Sequence, residues 1–447
     1  MLDLPKEFSA RMKSMLNGDF DAFIASFDKD KFQGLRINTL KTDGEIVKKT
    51  FSLRPVEWCE QGYYFGSDER PGKSVLHECG AYYIQEPSAM AVAENLDVQD
   101  GESVLDLCAA PGGKSTQIAC ALNSTGLLVA NEIVPSRAKI LAQNIERMGI
   151  RNCIVLNESP KSLAERFVGI FDKILVDAPC SGEGMFRKNS LAIDEWSQEG
   201  VKLCKVRQLD ILAEAVKMLK SGGRIVYSTC TFSKEENEEV VDEFLSKYPD
   251  FEVLPSKYKF CNGFPIDGGE HNDTLALTNR IFPHKFDGEG HFFAILQHKG
   301  KREDIKYSLQ STKISGAQIK IFNDWQKENL TEDIVADLSF GDNLYAMPKG
   351  TPRLDRLKVE RAGLHLGIVK KNRFEPSHSL ALALKPSQVK RILDLSEEDA
   401  TKFIGGQTLS CDGEKGWTLM MYGGISVGWS KCDGSYAKNH YPKGIRK

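Results

Sequence analysis

Three short stretches of this sequence hold residues able to do chemistry. Asp177-Ala178-Pro179-Cys180-Ser181-Gly182-Glu183-Gly184 follows an apolar run that ends at Val176. Ser228-Thr229-Cys230-Thr231 follows another, Arg224 to Tyr227, and Asp106-Leu107-Cys108-Ala109-Ala110-Pro111-Gly112-Gly113-Lys114 follows Val104-Leu105. A cysteine on an apolar run is usually an inert part of the core. Cys180 and Cys230 sit in turns, one after Pro179 and one ahead of a helical pattern, and such turns expose a side chain. A helix N-terminus favours thiolate over thiol, whereas Glu235, Glu236, Glu238 and Glu239 oppose it. The sequence leaves the balance open.

The Gly-rich stretch is tested by ligand. A P-loop needs G-x-x-x-x-G-K-[ST]; Gly113-Lys114-Ser115 fits its end, but Cys108 stands where the first glycine belongs. Ala110-Pro111-Gly112-Gly113 does not supply the G-x-G-x-x-G of a dinucleotide site. An adenosyl ligand without a pyrophosphate remains, with Glu132, twenty residues past Gly112, placed to accept from ribose hydroxyls. S-adenosylmethionine fits that description; a purely structural turn is the competing reading. Two thiols beside a methyl donor suggest one reaction. Cytosine C5 is a poor nucleophile until a thiolate adds at C6 and makes C5 enamine-like. The thiolate must later be eliminated, which gives a second cysteine a task. Asp177 is near enough in sequence to bind the N3/N4 edge of the base or the cofactor, and the base must leave any stack to enter.

The elements that position these residues follow a strand–helix alternation from Val75 to about Lys299, which predicts an α/β fold with a largely parallel sheet. Strands are expected at Val104–Cys108, Leu127–Asn131, Cys153–Asn157, Lys173–Asp177, Arg224–Thr229 and Phe292–Gln297. Helices are expected at Ser115–Leu122, Pro135–Met148, Lys205–Leu219 and Lys234–Lys247, the last with a Ser233/Glu236 capping box. Ligands of such sheets sit beyond the carboxyl ends of the strands, where all three stretches fall. Upstream, Phe8, Met12, Met15 and Leu16 have helical spacing, and Gly34 to Leu40 alternates like a strand. Downstream, Lys299 to Ser315 reads as a linker and Gly316 to Leu384 as a small domain with a helix through Phe322 and Trp325 and a strand at Gly363–Val369. Pro386 to Lys447 reads as a helix, Val389–Leu395, followed by strands Thr408–Cys411, Trp417–Tyr422 and Ile425–Trp429.

Composition sets the outer bounds. At 447 residues the chain exceeds one core, and 41% hydrophobic with 27% charged residues excludes a disordered class. No apolar stretch is long enough to span a bilayer, and the start lacks a signal-peptide plan, so a cytoplasmic protein is expected. Eleven cysteines, none in a C-x-x-C pair, predict free thiols and no metal site. The net charge of −3 hides an asymmetry: Lys349 to Lys447 carries 18 Lys/Arg against 10 Asp/Glu, +8, which leaves −11 for the rest. A basic end on an acidic body suits a polyanion partner, or reflects only solvated faces.

Together, D-L-C-A-A-P-G-G-K, D-A-P-C-S-G-E-G and S-T-C-T-F with a following N-E resemble the motif set of the RNA 5-methylcytosine methyltransferases. The resemblance implies a Rossmann-like S-adenosylmethionine-dependent core over 75–300 and an N-terminal RNA-binding subdomain over 1–74. A small α/β domain over 315–384 and a PUA-like β-rich RNA-binding domain over 386–447 follow, as in the branch acting on bacterial small-subunit ribosomal RNA. It implies Cys230 as nucleophile and Cys180 as the residue aiding release. Cys108, Ala109, Ala110, Pro111, Gly112, Gly113, Lys114, Glu132 and Asp177 would bind the cofactor, and Arg137 would border it. Arg36 and Asn38 lie in a segment resembling the RNA-binding subdomain, and Arg187-Lys188 would contact phosphates or form a solvated pair. An Asp that commonly holds the adenine is replaced in Leu156-Asn157-Glu158-Ser159, leaving Asn157 or Glu158 for that contact. The implied partner is 16S ribosomal RNA in the small subunit, with a monomeric enzyme; transfer RNA methylation and a non-catalytic assembly role are the alternatives.

Overall fold

The computed structural model describes residues 3–301 and 305–446. Met1, Leu2 and Lys447 lie outside the described residues, as do 302–304 of the expected linker. The central sheet is built from apolar runs buried on both faces: β1 Ser103–Asp106, β2 Leu127–Asn131, β3 Cys153–Leu156, β4 Phe171–Asp177 and β5 Leu219–Thr229. Continuous apolar strands of this type need helices on both sides. These include α1 Gly113–Ala121, α2 Pro135–Arg147, α3 Gln198–Met218 and α4 Glu238–Lys247. β1 pairs in parallel with both β2 and β4, and β4 with β5. The direction of winding therefore reverses at β1, and the crevice beyond the ends of β1 and β4 is the switch point where such sheets bind ligands. β6 His291–His298 runs antiparallel against β5.

Two elements differ from the sequence reading near the site. α4 begins at Glu238 rather than Lys234. Ser233 Oγ does accept from the Glu236 N–H at 3.2 Å, but the Glu236 carboxylate turns away to Ser181 and Gln208 instead of closing a capping box. In the C-terminal module the expected helix Val389–Leu395 is a strand, Ile392–Asp394, paired in parallel with Gly416–Tyr422. A short apolar run reads equally as helix or strand, and here an open sheet edge decides it. The free-thiol expectation also fails at one place, because Cys411 and Cys432 form a disulfide.

The flanking segments are joined to the core. Val359–Ala362 adds an antiparallel edge strand to β3, so the C-terminal part completes the central sheet. The N-terminal strands Gln33–Ile37 and Tyr82–Ile84 share a buried core with Phe403, Met420 and Val427 of the C-terminal module. Helix Lys6–Leu16 and its neighbour Phe20–Ser26 place Phe8 and Phe23 on the site loops, at 5.1 Å from Phe186 and 5.2 Å from Phe232 between ring centroids. Edge-to-face pairs of this kind contribute about 0.5–1.5 kcal/mol each beyond their burial. Phe186 follows the Cys180 loop and Phe232 follows Cys230, so the N-terminal helices brace both.

Candidate active site

The ends of β1, β4 and β5 bring Asp106, Asp177, Cys180 and Cys230 to one edge of the sheet. Cys180 Sγ lies 3.3 Å from Cys230 Sγ. The two loops are tied by backbone and carboxylate. Gly184 N–H donates to the Cys230 carbonyl at 2.7 Å, and a Cβ on Gly184 would stand only 2.8 Å from that oxygen. Glu183, fully buried, accepts from Phe232 N–H at 3.0 Å and Trp196 Nε1 at 2.9 Å, and pairs with Arg11. Glu236 accepts from Ser181 N–H at 2.9 Å and Gln208 Nε2 at 3.1 Å. Sequence reasoning passed over Glu183 and read Glu236 as a cap and as a charge opposing the thiolate; the carboxylates of both span the two cysteine loops.

The four glutamates set against Cys230 are mostly neutralised. Glu238 is paired with Arg280, whose Nε lies 2.6 Å away, and Glu239 with Lys205 at 2.9 Å. Glu235 accepts from Ser233 Oγ, and burial pushes Glu236 up to about 7. The helix favouring a thiolate starts eight residues beyond Cys230, too far for a dipole effect confined to its first turn. The Cys230 sulfur beside it, and then burial, push the Cys180 thiol well above the usual range, so Cys180 keeps its proton at neutral pH.

A cleft of about 350 Å³ opens in front of Cys230 and is also lined by Asp106, Lys114, Asp177 and His291. Lys114 Nζ donates to Asp177 Oδ2 at 2.8 Å and Ser228 Oγ to Asp177 Oδ1 at 2.7 Å. Burial alone would raise Asp177; the Lys114 charge and then His291 outweigh it and hold the carboxyl well below the usual range. Burial likewise works against the Lys114 charge, but Asp177 more than offsets it. Asp106 differs: burial pushes it up to about 7, Ser115 Oγ donates to Oδ2 at 2.6 Å, and Oδ1 is buried without a donor among the described residues.

The Gly-rich turn is shaped for close approach. Gly112 has φ 115°, a conformation that favours glycine, and its absent Cβ would meet Leu141 Cδ1 at 3.1 Å. Cys108, Ala109, Ala110, Pro111, Gly113 and Lys114 line the cleft; Gly112, Glu132, Arg137 and Cys180 do not. Glu132, buried at the end of β2, accepts from Val134 N–H at 2.9 Å and lies 3.4 Å from Arg137 Nη1. Arg137 Nη2 donates to the Ala110 carbonyl at 2.8 Å and Asn144 Nδ2 to that of Pro111 at 2.8 Å. Arg137 thus holds the turn from outside. Asn157 Nδ2 donates to the Glu132 carbonyl at 2.7 Å, Glu158 accepts from Lys358 N–H at 2.8 Å, and Ser159 caps the next helix. Both candidates for the adenine contact are therefore engaged with protein.

Arg36 and Asn38, in the segment resembling the RNA-binding subdomain, contact protein. Arg36 is 1% exposed and donates to Gln85 Oε1 at 3.0 Å, Thr116 Oγ1 at 2.7 Å and the Gly113 carbonyl at 3.2 Å. Asn38 Nδ2 donates to the carbonyls of Gly80 and Met148, each at 2.8 Å. Arg187 is neither a phosphate ligand nor solvated: it is buried against Glu289 at 2.7 Å and donates to the Ser26 carbonyl. Among these, only Lys188 reaches the cleft wall. Buried arginines are unreadable from a sequence that shows charge but not partner.

Residues 93–297 match the family described as 16S rRNA methyltransferase RsmB/F. Residues 4–87 match the N-terminal domain of 16S rRNA methyltransferase RsmF, 327–384 its first C-terminal domain and 390–447 its PUA domain. The chain is 34% identical to ribosomal RNA small subunit methyltransferase F of Vibrio vulnificus (strain YJ016), over 98% of its own length and 97% of the relative's. It is 32% identical to the protein of that name from Shewanella oneidensis, over 96% and 93%. Among solved structures it resembles a methyltransferase homolog protein from Pyrococcus horikoshii, with 29% identity and TM-score 0.59 over 66% of this chain and 96% of the other. NSun6 from the same organism, solved with SFG, shares the fold at 22% identity and TM-score 0.58, over 66% and 99%.

Proposed function

The chain belongs to the ribosomal RNA small subunit methyltransferase F family, and from that premise we propose that it methylates cytosine C5 in 16S ribosomal RNA through a covalent bond to Cys230. The observation that carries this reading is the pair of sulfurs 3.3 Å apart, Cys230 at the wall of a cleft that an ionised Asp177 also lines and Cys180 behind it. Methylation of a nucleophilic nitrogen or hydroxyl needs no thiol, whereas C5 of cytosine needs one attacking thiol and a later elimination.

S-adenosylmethionine supplies an electrophilic methyl group when bound. The cleft residues fit it: Cys108 to Pro111, Gly113 and Lys114 line the approach, Asp177 offers a carboxylate, and Oδ1 of Asp106, without a donor among the described residues, offers a further acceptor. Glu132 stands behind the turn against Arg137. Within the cleft, Asp177 accepts from the 4-amino group of a flipped cytosine. The Cys230 thiolate adds to C6, forming the S–C6 bond, and the C5=C6 electron pair makes C5 nucleophilic. After C5 has taken the methyl group, its proton passes to solvent, the S–C6 electron pair leaves on sulfur, and the C5=C6 bond re-forms. Cys180, holding its proton beside that sulfur, stabilises the departing thiolate. The thiolate is the leaving group, so a donor beside it speeds release.

Nucleoside mass spectrometry and bisulfite sequencing of RNA from strains with and without the gene test the substrate. Loss of 5-methylcytosine from 16S ribosomal RNA is expected. Loss from transfer RNA alone would move the activity there, and no loss in either would leave an RNA-binding assembly role.

A further inference from the structure

The cleft contains a side chain that the reaction above does not use. His291 begins β6, where Phe292 pairs with Thr229 and His291 with Ile281, so it lies across the sheet edge from Cys230. It is 6% exposed, lines the cleft, and its Nε2 is buried with no hydrogen-bond partner among the described residues. A buried polar atom left unmatched is costly, and such an atom on a residue lining a ligand cleft marks a contact made when the ligand arrives. Asp177 Oδ1 lies 3.6 Å from His291 Nε2. That exceeds hydrogen-bond length, but the carboxylate favours the tautomer with hydrogen on Nε2.

The chemistry of the ring supplies the need. When a thiolate adds at C6 of cytosine, the displaced electron pair is delocalised through C5 and C4 onto N3 and, through C2, onto O2. Asp177, held ionised, offers this edge only acceptors. Lys114 Nζ turns one of its N–H groups to Asp177 at 2.8 Å, and the Lys188 charge acts on Glu86. His291 Nε2 is a nitrogen of the cleft residues left without a hydrogen-bond partner among the described residues.

We propose that His291 is a further catalytic residue, whose Nε2–H donates to the N3/O2 edge of the target pyrimidine and stabilises the charge that develops there as Cys230 adds to C6. The hydrogen bond strengthens in the adduct and weakens again when the thiolate leaves, so no proton is consumed. This rests on the cytosine-C5 reading. It extends that reading from the thiols to recognition of the ring: His291 and Asp177 together read one donor-accepting edge and one amino group, which a uracil does not present in the same order.

The test compares His291→Gln, which keeps an N–H donor at similar reach, with His291→Met, which keeps the reach and lacks the donor. Methyl transfer to 16S ribosomal RNA and to small subunits from a strain lacking the gene is measured at saturating cofactor, with S-adenosylhomocysteine affinity and thermal midpoint as controls. Removing a donor to a developing anion lowers kcat by about 100-fold or more. We expect that loss for His291→Met, KM within threefold, and a loss under tenfold for His291→Gln. Equal kcat for the two variants, or His291→Met within threefold of wild type, overturns the proposal. Wild-type enzyme in the same assay reports separately on the cytosine reading: if it forms no 5-methylcytosine, both are lost.

Discussion

Cys180 Sγ and Cys230 Sγ stand 3.3 Å apart although fifty residues separate them, because parallel neighbours β4 and β5 end side by side and Gly184 lets the loops touch. One sulfur lines the cleft and the other lies behind it, so only Cys230 is within reach of a ligand bound there.

The latch between the loops makes the first prediction. Glu183→Ala removes the acceptor for Phe232 N–H and Trp196 Nε1 and leaves Arg11 without its buried partner. Breaking a buried pair from one side costs about 3–5 kcal/mol. The thermal midpoint should fall by several degrees and kcat should drop with it, since the backbone after Cys230 loses its tether. Unchanged melting and kcat would show the latch to be inert.

Asp106 predicts a pH dependence. Its folded value, pushed up to about 7 from 3.8, means that the site is protonated below that pH. A ligand bearing an ammonium group favours the ionised carboxylate, so binding must displace a proton below pH 7 and need not above it. Affinity for S-adenosylhomocysteine by calorimetry should rise by up to about tenfold per unit as pH climbs towards 7 and then level off. Asp106→Asn should bind more weakly with a flat profile. A wild-type profile as flat as the variant's would remove Asp106 from the site.

Arg36 predicts the opposite of what its charge suggests. Its guanidinium holds the Gly113 carbonyl and Thr116 from behind the Gly-rich turn. Arg36→Ala should lower the thermal midpoint and weaken S-adenosylhomocysteine binding while leaving the salt dependence of RNA binding unchanged. A shallower salt slope would return Arg36 to the RNA interface.

The C-terminal module offers a better phosphate site. Exposed Lys431 and Lys438 face each other directly across Ile425–Cys432 and Tyr436–Asn439. Like charges directly opposite on a sheet destabilise it unless a counter-charge arrives. Lys431→Ala/Lys438→Ala should weaken RNA binding and reduce the slope of log K against log salt by about one and a half. The same variant should melt no lower than wild type. An unaltered slope would assign these lysines to the solvated surface.

Much of the site was legible in the sequence because its signals are local. The strand ends, the missing first glycine of a P-loop and the two turn cysteines each lie within a few residues, and the structure brings Lys114, Asp177 and Cys230 onto one cleft. What was not legible depends on distant partners. Glu236 carries a capping-box spacing but is drawn to Ser181 in another loop. Arg36 and Arg187 look solvent-facing by type and are buried by carbonyls and carboxylates contributed from elsewhere in the chain. His291 opens a late strand with no motif of its own, and only its register against β5 places it beside Cys230.

The division of labour between the thiols is tested most directly by denaturing gels of enzyme incubated with 16S ribosomal RNA and S-adenosylmethionine. Cys180→Ala should accumulate a protein–RNA band that survives denaturation. Cys230→Ala and the double variant should form none, and Cys230→Ala should lose methyl transfer by more than about a thousandfold. An adduct that persists in the double variant, or full activity in Cys230→Ala, would contradict the account.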